Sequence, residues 1–296
     1  MSRLSSMNCK KWPALKNPRS PSNPPPHQLL SQQINKTPVF LLQSFRSIED
    51  SSVAPWPSAV PTETIDTLKR TLIIFVKSPI PGDVKTRLIP HLTGIEAADL
   101  YKCFVADTLK KVTQISPCMR TQVAYQPHSK ASDLSWLGLK NPPEIFKQDG
   151  RSLGERLIHA FGQAFGRGAR QIVIIGSDSP NLPKCYIEQA FTALEEADVV
   201  LGPAHDGGYY LIGLSRPCLK LFDDVSWSTD QVFERTAQNA QNLGYSLKVL
   251  PFHYDIDTIE DLKTLHSALL QDEKGAPATK KYLEQLARCK SFFLTS

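Results

Sequence analysis

From residue 70 onward this sequence predicts an α/β fold whose mostly parallel sheet is covered by helices on both faces. Short apolar, β-branched runs recur along the chain, and longer amphipathic segments alternate with them. No internal repeat divides the pattern, so a single three-layer α/β/α domain spanning 62–296 is expected, built from right-handed βαβ units.

The runs taken as strands are LIIFVK (72–77), TQVAYQP (121–127), EIFKQ (144–148), QIVIIGSD (171–178), DVVLGPA (198–204), YYLIGL (209–214) and SLKVLPF (246–252). Segments near 94–115, 152–167, 183–197, 229–243 and 258–271 carry helical spacing. The fifth and sixth strands are too close for a crossover helix, which predicts a local antiparallel excursion.

Residues 1–61 are different: a Pro- and Ser-rich tail (NPRSPSNPPPHQ) without periodicity, expected to be disordered. The net charge is +5, but seven Lys or Arg and no acid fall in residues 1–48, leaving +5 less 7, or −2, for the rest. A near-neutral body lacks the basic footprint of a nucleic-acid binder. No apolar run reaches the roughly 18 residues of a membrane span, so a soluble protein acting on small molecules is expected. The six cysteines are scattered, with no CxxC pair, which suits reduced core thiols and a cytoplasmic compartment. The tail's composition also suits an organellar transit peptide; a dispensable extension, or a misplaced start with Met7 as the other candidate, is the preferred alternative.

Ligands of open α/β sheets bind at the carboxyl ends of strands. The first strand ends at Lys77 and runs into SPIPGDVKTRL, where Gly82 can bring the backbone close to a ligand and Lys85, Thr86 and Arg87 supply donors. Such a set suits a di- or triphosphate, although GxxxxGK[ST] is absent and a solvated turn is the alternative. Asp178 ends the buried fourth strand, where a divalent cation or a helix-capping role would account for it. HYDIDTIEDL (253–262) puts Asp255 and Asp257 on one face if the strand continues, while Thr258 with Asp261, or Asp257 with Glu260, reads as a helix start. In GPAHDGGYYLIGL, Asp206 with Gly207 and Gly208 is first of all a turn, and also a place where a substrate could reach the main chain beside Asp206 or His205. GRSLGERL, with Arg156 in the first helical turn, could meet a base or phosphate.

Together VKSPIPGDVKTRL, GRSLGERL, GSDSPNLP, LGPAHDGGYYLIGL, VSWSTDQVF and DIDTIEDL resemble the bacterial DUF2064 proteins over about residues 70–268. The resemblance implies a glycosyltransferase-A, nucleotide-diphospho-sugar transferase-like fold and a transferase using Mg or Mn. It implies a donor site of Lys77, Gly82, Lys85, Thr86, Arg87, Gly154 and Arg156, a metal on Asp178 and Asp257, and catalytic roles for Lys85, Arg87 and Asp206. Gly207, Gly208, Tyr209, Trp227, Ser228 and Thr229 would line the acceptor pocket. Many glycosyltransferases of this fold carry Asp-x-Asp, whereas Asp178 is flanked by serines. A single acid there is closer to nucleotidyltransferases such as phospholactate guanylyltransferase. The donor is thus a nucleotide sugar or, alternatively, a nucleoside triphosphate that releases pyrophosphate; a non-catalytic nucleotide-binding protein is the third reading.

Overall fold

The computed structural model describes residues 69–115, 119–127, 135–137, 143–272 and 275–290. The tail expected over 1–61 lies outside the described residues.

Seven strands form one sheet: β1 (Arg70–Lys77), β2 (Arg120–Gln126), β3 (Glu144–Lys147), β4 (Gln171–Ile175), β5 (Val199–Pro203), β6 (Tyr209–Leu214) and β7 (Leu247–Val249). Their order is β3-β2-β1-β4-β6-β5-β7. Only β6 runs against the others, antiparallel to both β4 and β5. Its reversal needs only the tight turn 204–208, closed by the Ala204 N–H donating to the Gly208 carbonyl at 3.0 Å. The antiparallel excursion expected from the short spacing is therefore present.

Alternation along β1 decides which helices cover which face. Leu72, Ile74 and Val76 join one core with α1 (Gly94–Val112), α3 (Lys184–Ala193), α5 (Ile259–Gln271) and α6 (Pro277–Cys289). Ile73 points the other way, into a second core with α2 (Leu153–Gly166) and α4 (Val232–Asn242). Leu72, Ile73 and Ile74 are all fully buried, as residues sandwiched in a parallel sheet should be, each contributing about 1.5–3 kcal/mol of burial. No helix among the described residues is long and apolar enough to cross a membrane.

The elements differ from expectation mainly at their ends. β4 stops at Ile175, so Ser177 and Asp178 lie in a turn beyond it, and β7 shrinks to three residues because it pairs only with β5. α6 was not expected. Its apolar face is sparse, and its start is capped from another helix, where the buried Asp107 carboxylate of α1 accepts from the N–H groups of Ala278 and Thr279 at 3.0 and 2.7 Å. A cap supplied by a residue so distant in sequence leaves no local signal.

Candidate active site

The carboxyl ends of β1 and β4 are tied together from α1. The Lys77 N–H donates to the Tyr101 hydroxyl at 2.8 Å, and that hydroxyl shares a 2.7 Å hydrogen bond with Ser177. The following loop, 78–88, turns back over the same face. Lys85 adopts a left-handed conformation (φ 50, ψ 41) just before a short 3-10 turn at Thr86–Leu88. This backbone sends the Lys85 side chain inward across the Phe104 ring, with the ammonium 5.6 Å from the ring centroid.

There Lys85 Nζ lies 2.5 Å from Asp178 Oδ1 and 3.1 Å from Asp257 Oδ1, with only 3% of the side chain exposed. Burial alone would depress the Lys85 pKa, but Asp178 and Asp257 outweigh it and hold the pKa above its ordinary value. Burial likewise favours neutral Asp178, and Lys85 followed by Lys77 overrides it, holding that carboxyl below its usual range. Both members of the pair stay charged. Arg87, 71% exposed, hangs at the mouth with Nη1 3.9 Å from Asp257 Oδ2.

The two acids come from different loops. Asp178 is not a helix cap, since α3 starts after Pro183 with no side-chain cap. Asp257 is placed by the turn entering α5: Thr258 and Asp261 form a reciprocal capping box, and Asp261 Oδ2 also accepts from the Asp257 N–H at 3.1 Å. Strand geometry, expected to aim Asp255 and Asp257, does not operate here. After β7 the chain makes only a single bridge, Ala204 to His253, and the Ile256 N–H donates to the Asp178 carbonyl at 3.1 Å. Asp255 nonetheless lines the same cavity and accepts from the Ser179 hydroxyl. Burial, then the charge of Asp178, pushes the Asp255 pKa up to about 6.

These groups line one side of a cavity of about 770 Å³, a size ordinary for a small-molecule site. Its other side is built on the opposite face of the sheet, where Phe75, Tyr209 and Trp227 pack against the α2 core. Trp227 is held there by Gly154: a Cβ on Gly154 would sit 2.7 Å from the indole. Gly207 (φ +86) lies so close to Asp230 that no side chain fits, and so it pins the 227–230 loop. Asp206 makes the turn expected of it, Oδ1 accepting from the Gly208 N–H at 2.9 Å, and it also lines the cavity.

The cavity thus gathers Lys77, Lys85, Thr86, Arg87, Arg156, Asp178, Asp206, Gly208, Tyr209, Trp227, Ser228, Thr229 and Asp257 from the sequence-level set. Gly82, Gly154 and Gly207 are outside its wall, as is His205, which stacks on Phe252. Sequence reasoning missed Tyr101 and Gln148. Gln148 is buried in the wall, its amide donating to the Ala124 carbonyl at 2.8 Å. Neither has a motif to betray it.

Two carboxylates at 30% and 40% exposure offer hard oxygen donors, a set that suits Mg or Mn completed by water and phosphate. No group of three or more His, Cys, Asp or Glu among the described residues could hold a metal alone.

Comparison with known proteins agrees with this architecture. The family model described as "Uncharacterized protein conserved in bacteria (DUF2064)" matches residues 108–229. A crystal structure from Desulfovibrio desulfuricans G20, that of a "putative nucleotide-diphospho-sugar transferase", is 31% identical over 76% of this chain and 98% of that one, with a TM-score of 0.70. The chain belongs to the DUF2064 family. Two other solved structures that match are a cytidylyltransferase from Leptospira borgpetersenii serovar Hardjo-bovis (15% identity, 77% and 98% coverage, TM-score 0.45) and the 4-diphosphocytidyl-2C-methyl-D-erythritol synthase of Anaerococcus prevotii DSM 20548 (11%, 70% and 99%, TM-score 0.47). No curated protein matches. In this DUF2064 chain the fold is that of nucleotide-diphospho-sugar transferase-like proteins, with the cavity at the strand ends.

Proposed function

We propose that this chain is a metal-dependent transferase moving a glycosyl group from a nucleotide-diphospho-sugar to a hydroxyl of a small-molecule acceptor. The observation that carries the reading is the buried Lys85 ammonium bridging Asp178 and Asp257 in the wall of a large cavity at the strand ends. Charge-compensated acids at this position suit a polyphosphate brought in with a cation. The reading draws further support from the D. desulfuricans relative.

Asp178 and Asp257 would hold Mg or Mn, which when bound supplies charge neutralisation to a diphosphate leaving group. Lys85 keeps the two carboxylates apart and charged, and adds its own positive charge beside the phosphates. Exposed Arg87 and Lys77 reach the same oxygens from the rim, and Thr86 offers a hydroxyl. The acceptor oxygen attacks the anomeric carbon as the bond from that carbon to the diphosphate oxygen breaks. The electron pair leaves with the nucleoside diphosphate. Asp206 takes the proton of the acceptor hydroxyl.

One observation favours a second reading, nucleotidyl transfer with release of pyrophosphate. Ser177 and Ser179, beside Asp178, are buried and bonded to Tyr101 and Asp255, so the second acid comes from a separate loop rather than from an Asp-x-Asp pair. A thermal-shift panel of UDP-, GDP- and dTDP-sugars against CTP, GTP, UTP and ATP, with and without Mn, separates the two. Metal-dependent stabilisation by one nucleotide sugar, lost in Asp178→Asn, is expected. A response to a triphosphate alone replaces the first reading with the second, and no metal-dependent response removes both in favour of a non-catalytic protein.

A further inference from the structure

We propose that the acceptor is an anion: a small hydroxylated molecule carrying a phosphate or carboxylate, which the Arg156 guanidinium binds while the body of the molecule rests on Trp227. The inference rests on the transferase reading above and names its acceptor class.

Four basic side chains line the cavity: Lys77, Lys85, Arg87 and Arg156. Three of them answer to the acids on the metal side. Lys85 contacts Asp178 and Asp257, Arg87 leans on Asp257, and Lys77 acts on the charge of Asp178. Arg156 is different. It is half-buried in the first turn of α2 and forms no ion pair with any described residue. Its Nε donates to the Gly150 carbonyl at 3.1 Å, which fixes the side chain by one edge. A guanidinium in the wall of the cavity, with no carboxylate paired to it among the described residues, keeps the outer edge of its planar fork for a ligand, and that fork matches carboxylate and phosphate oxygens.

Position assigns that ligand to the acceptor side. Leu153, Arg156 and Leu157 fall at i, i+3 and i+4 on α2 and all line the cavity, so one face of the helix looks into it. α2 covers the sheet face opposite the one covered by α1, over whose Phe104 the Lys85 ammonium lies. Trp227 packs on Gly154, two residues from Arg156. Asp206, Ser228 and Thr229 line the same cavity and offer a partner for a hydroxyl. An acceptor with a hydroxyl at one end and an acid at the other fits this arrangement, whereas a neutral sugar offers the Arg156 charge no counter-charge.

The test uses the full chain with Mn and the best-stabilising nucleotide, titrated by calorimetry with glycerol 3-phosphate, glycerate and glycerol, and repeated without nucleotide. Binding of glycerol 3-phosphate or glycerate, but not glycerol, is expected, and the better of the two identifies phosphate or carboxylate. Arg156→Gln should weaken that binding about tenfold or more while the nucleotide shift stays as in the parent, which also certifies that the variant is folded. Glycerol binding as well as glycerol 3-phosphate overturns the inference, as does neither anion binding with or without nucleotide. Loss of the nucleotide shift in Arg156→Gln overturns it too, returning Arg156 to the donor. Absence of any nucleotide shift in the parent chain is a separate outcome that sinks the transferase reading, while the anion titrations without nucleotide still decide whether Arg156 binds an acid.

Discussion

Lys85 is the residue on which the site's electrostatics turn. Replacing it with Met, which keeps a chain of similar length beside Phe104, leaves Asp178 and Asp257 without the cation that bridges them. Removing one partner of a buried pair typically costs about 3–5 kcal/mol, and the partial exposure of both acids puts the expected loss at or below the low end of that range. Adding Asp178→Asn should recover part of the lost melting temperature; no recovery would mean that Lys85 matters through its packing on Phe104 instead. Asp255 predicts the opposite sign. Its folded pKa of about 6 exceeds the ordinary 3.8, so the protonated form favours folding fully below about 3.8, and that contribution is lost as pH rises through about 6. In metal-free buffer, Asp255→Asn should therefore melt with the parent protein at pH 4 and gain about 1–3 kcal/mol by pH 7.5, measured by parallel thermal melts.

At the scale of elements, the capping box of α5 connects helix stability to the site. Asp261 binds the N–H groups of both Asp257 and Thr258, so the same carboxylate that starts the helix also fixes the backbone of Asp257. Thr258→Ala should cost about 1 kcal/mol of stability and also weaken the metal-dependent nucleotide shift. If only the stability changes, Asp257 is held by other contacts. This cap was legible in the sequence as Thr-x-x-Asp ahead of an apolar run, and so were all seven strands: the central ones because sheet residues buried on both sides leave continuous apolar runs, the edge strands β3 and β7 from shorter, more exposed ones. α6 was not legible, since Asp107 caps it from another helix. Nor was the position of Lys85: the loop reads as a turn with charges, and only the left-handed backbone at that residue turns its side chain inward. Two glycines carry a packing role that residue type alone does not show. Gly154 and Gly207 let Trp227 and Asp230 approach the main chain.

For the molecule as a whole, the cavity residues fall between Phe75 and Asp257, and β1 begins at Arg70. A chain starting at residue 62 should accordingly show the same nucleotide-dependent thermal shift as the full chain, and a smaller shift would assign part of the binding to residues 1–61. The resemblance seen in the sequence reached the fold, and it grouped Gly154 and Arg156 with Lys85 in a donor site, whereas α2 carries them on the sheet face opposite the α1 side where Lys85 lies. Placement on one face or the other depends on which side of the sheet each element packs, and residue types alone do not encode it.

The reversed strand β6 has a consequence for how such a protein can change. Because β6 enters the sheet from the carboxyl end of its neighbours, the hairpin tip at 204–208 sits among the ligand-facing loops while its two legs are locked between β4 and β7. Apart from Gly207, where no side chain fits, and Asp206, the tip can change without shifting register in either leg. Lineages could thus exchange one partner molecule for another by rewriting the rest of the tip and the Trp227 loop beside it, while the lysine and its two aspartates went untouched.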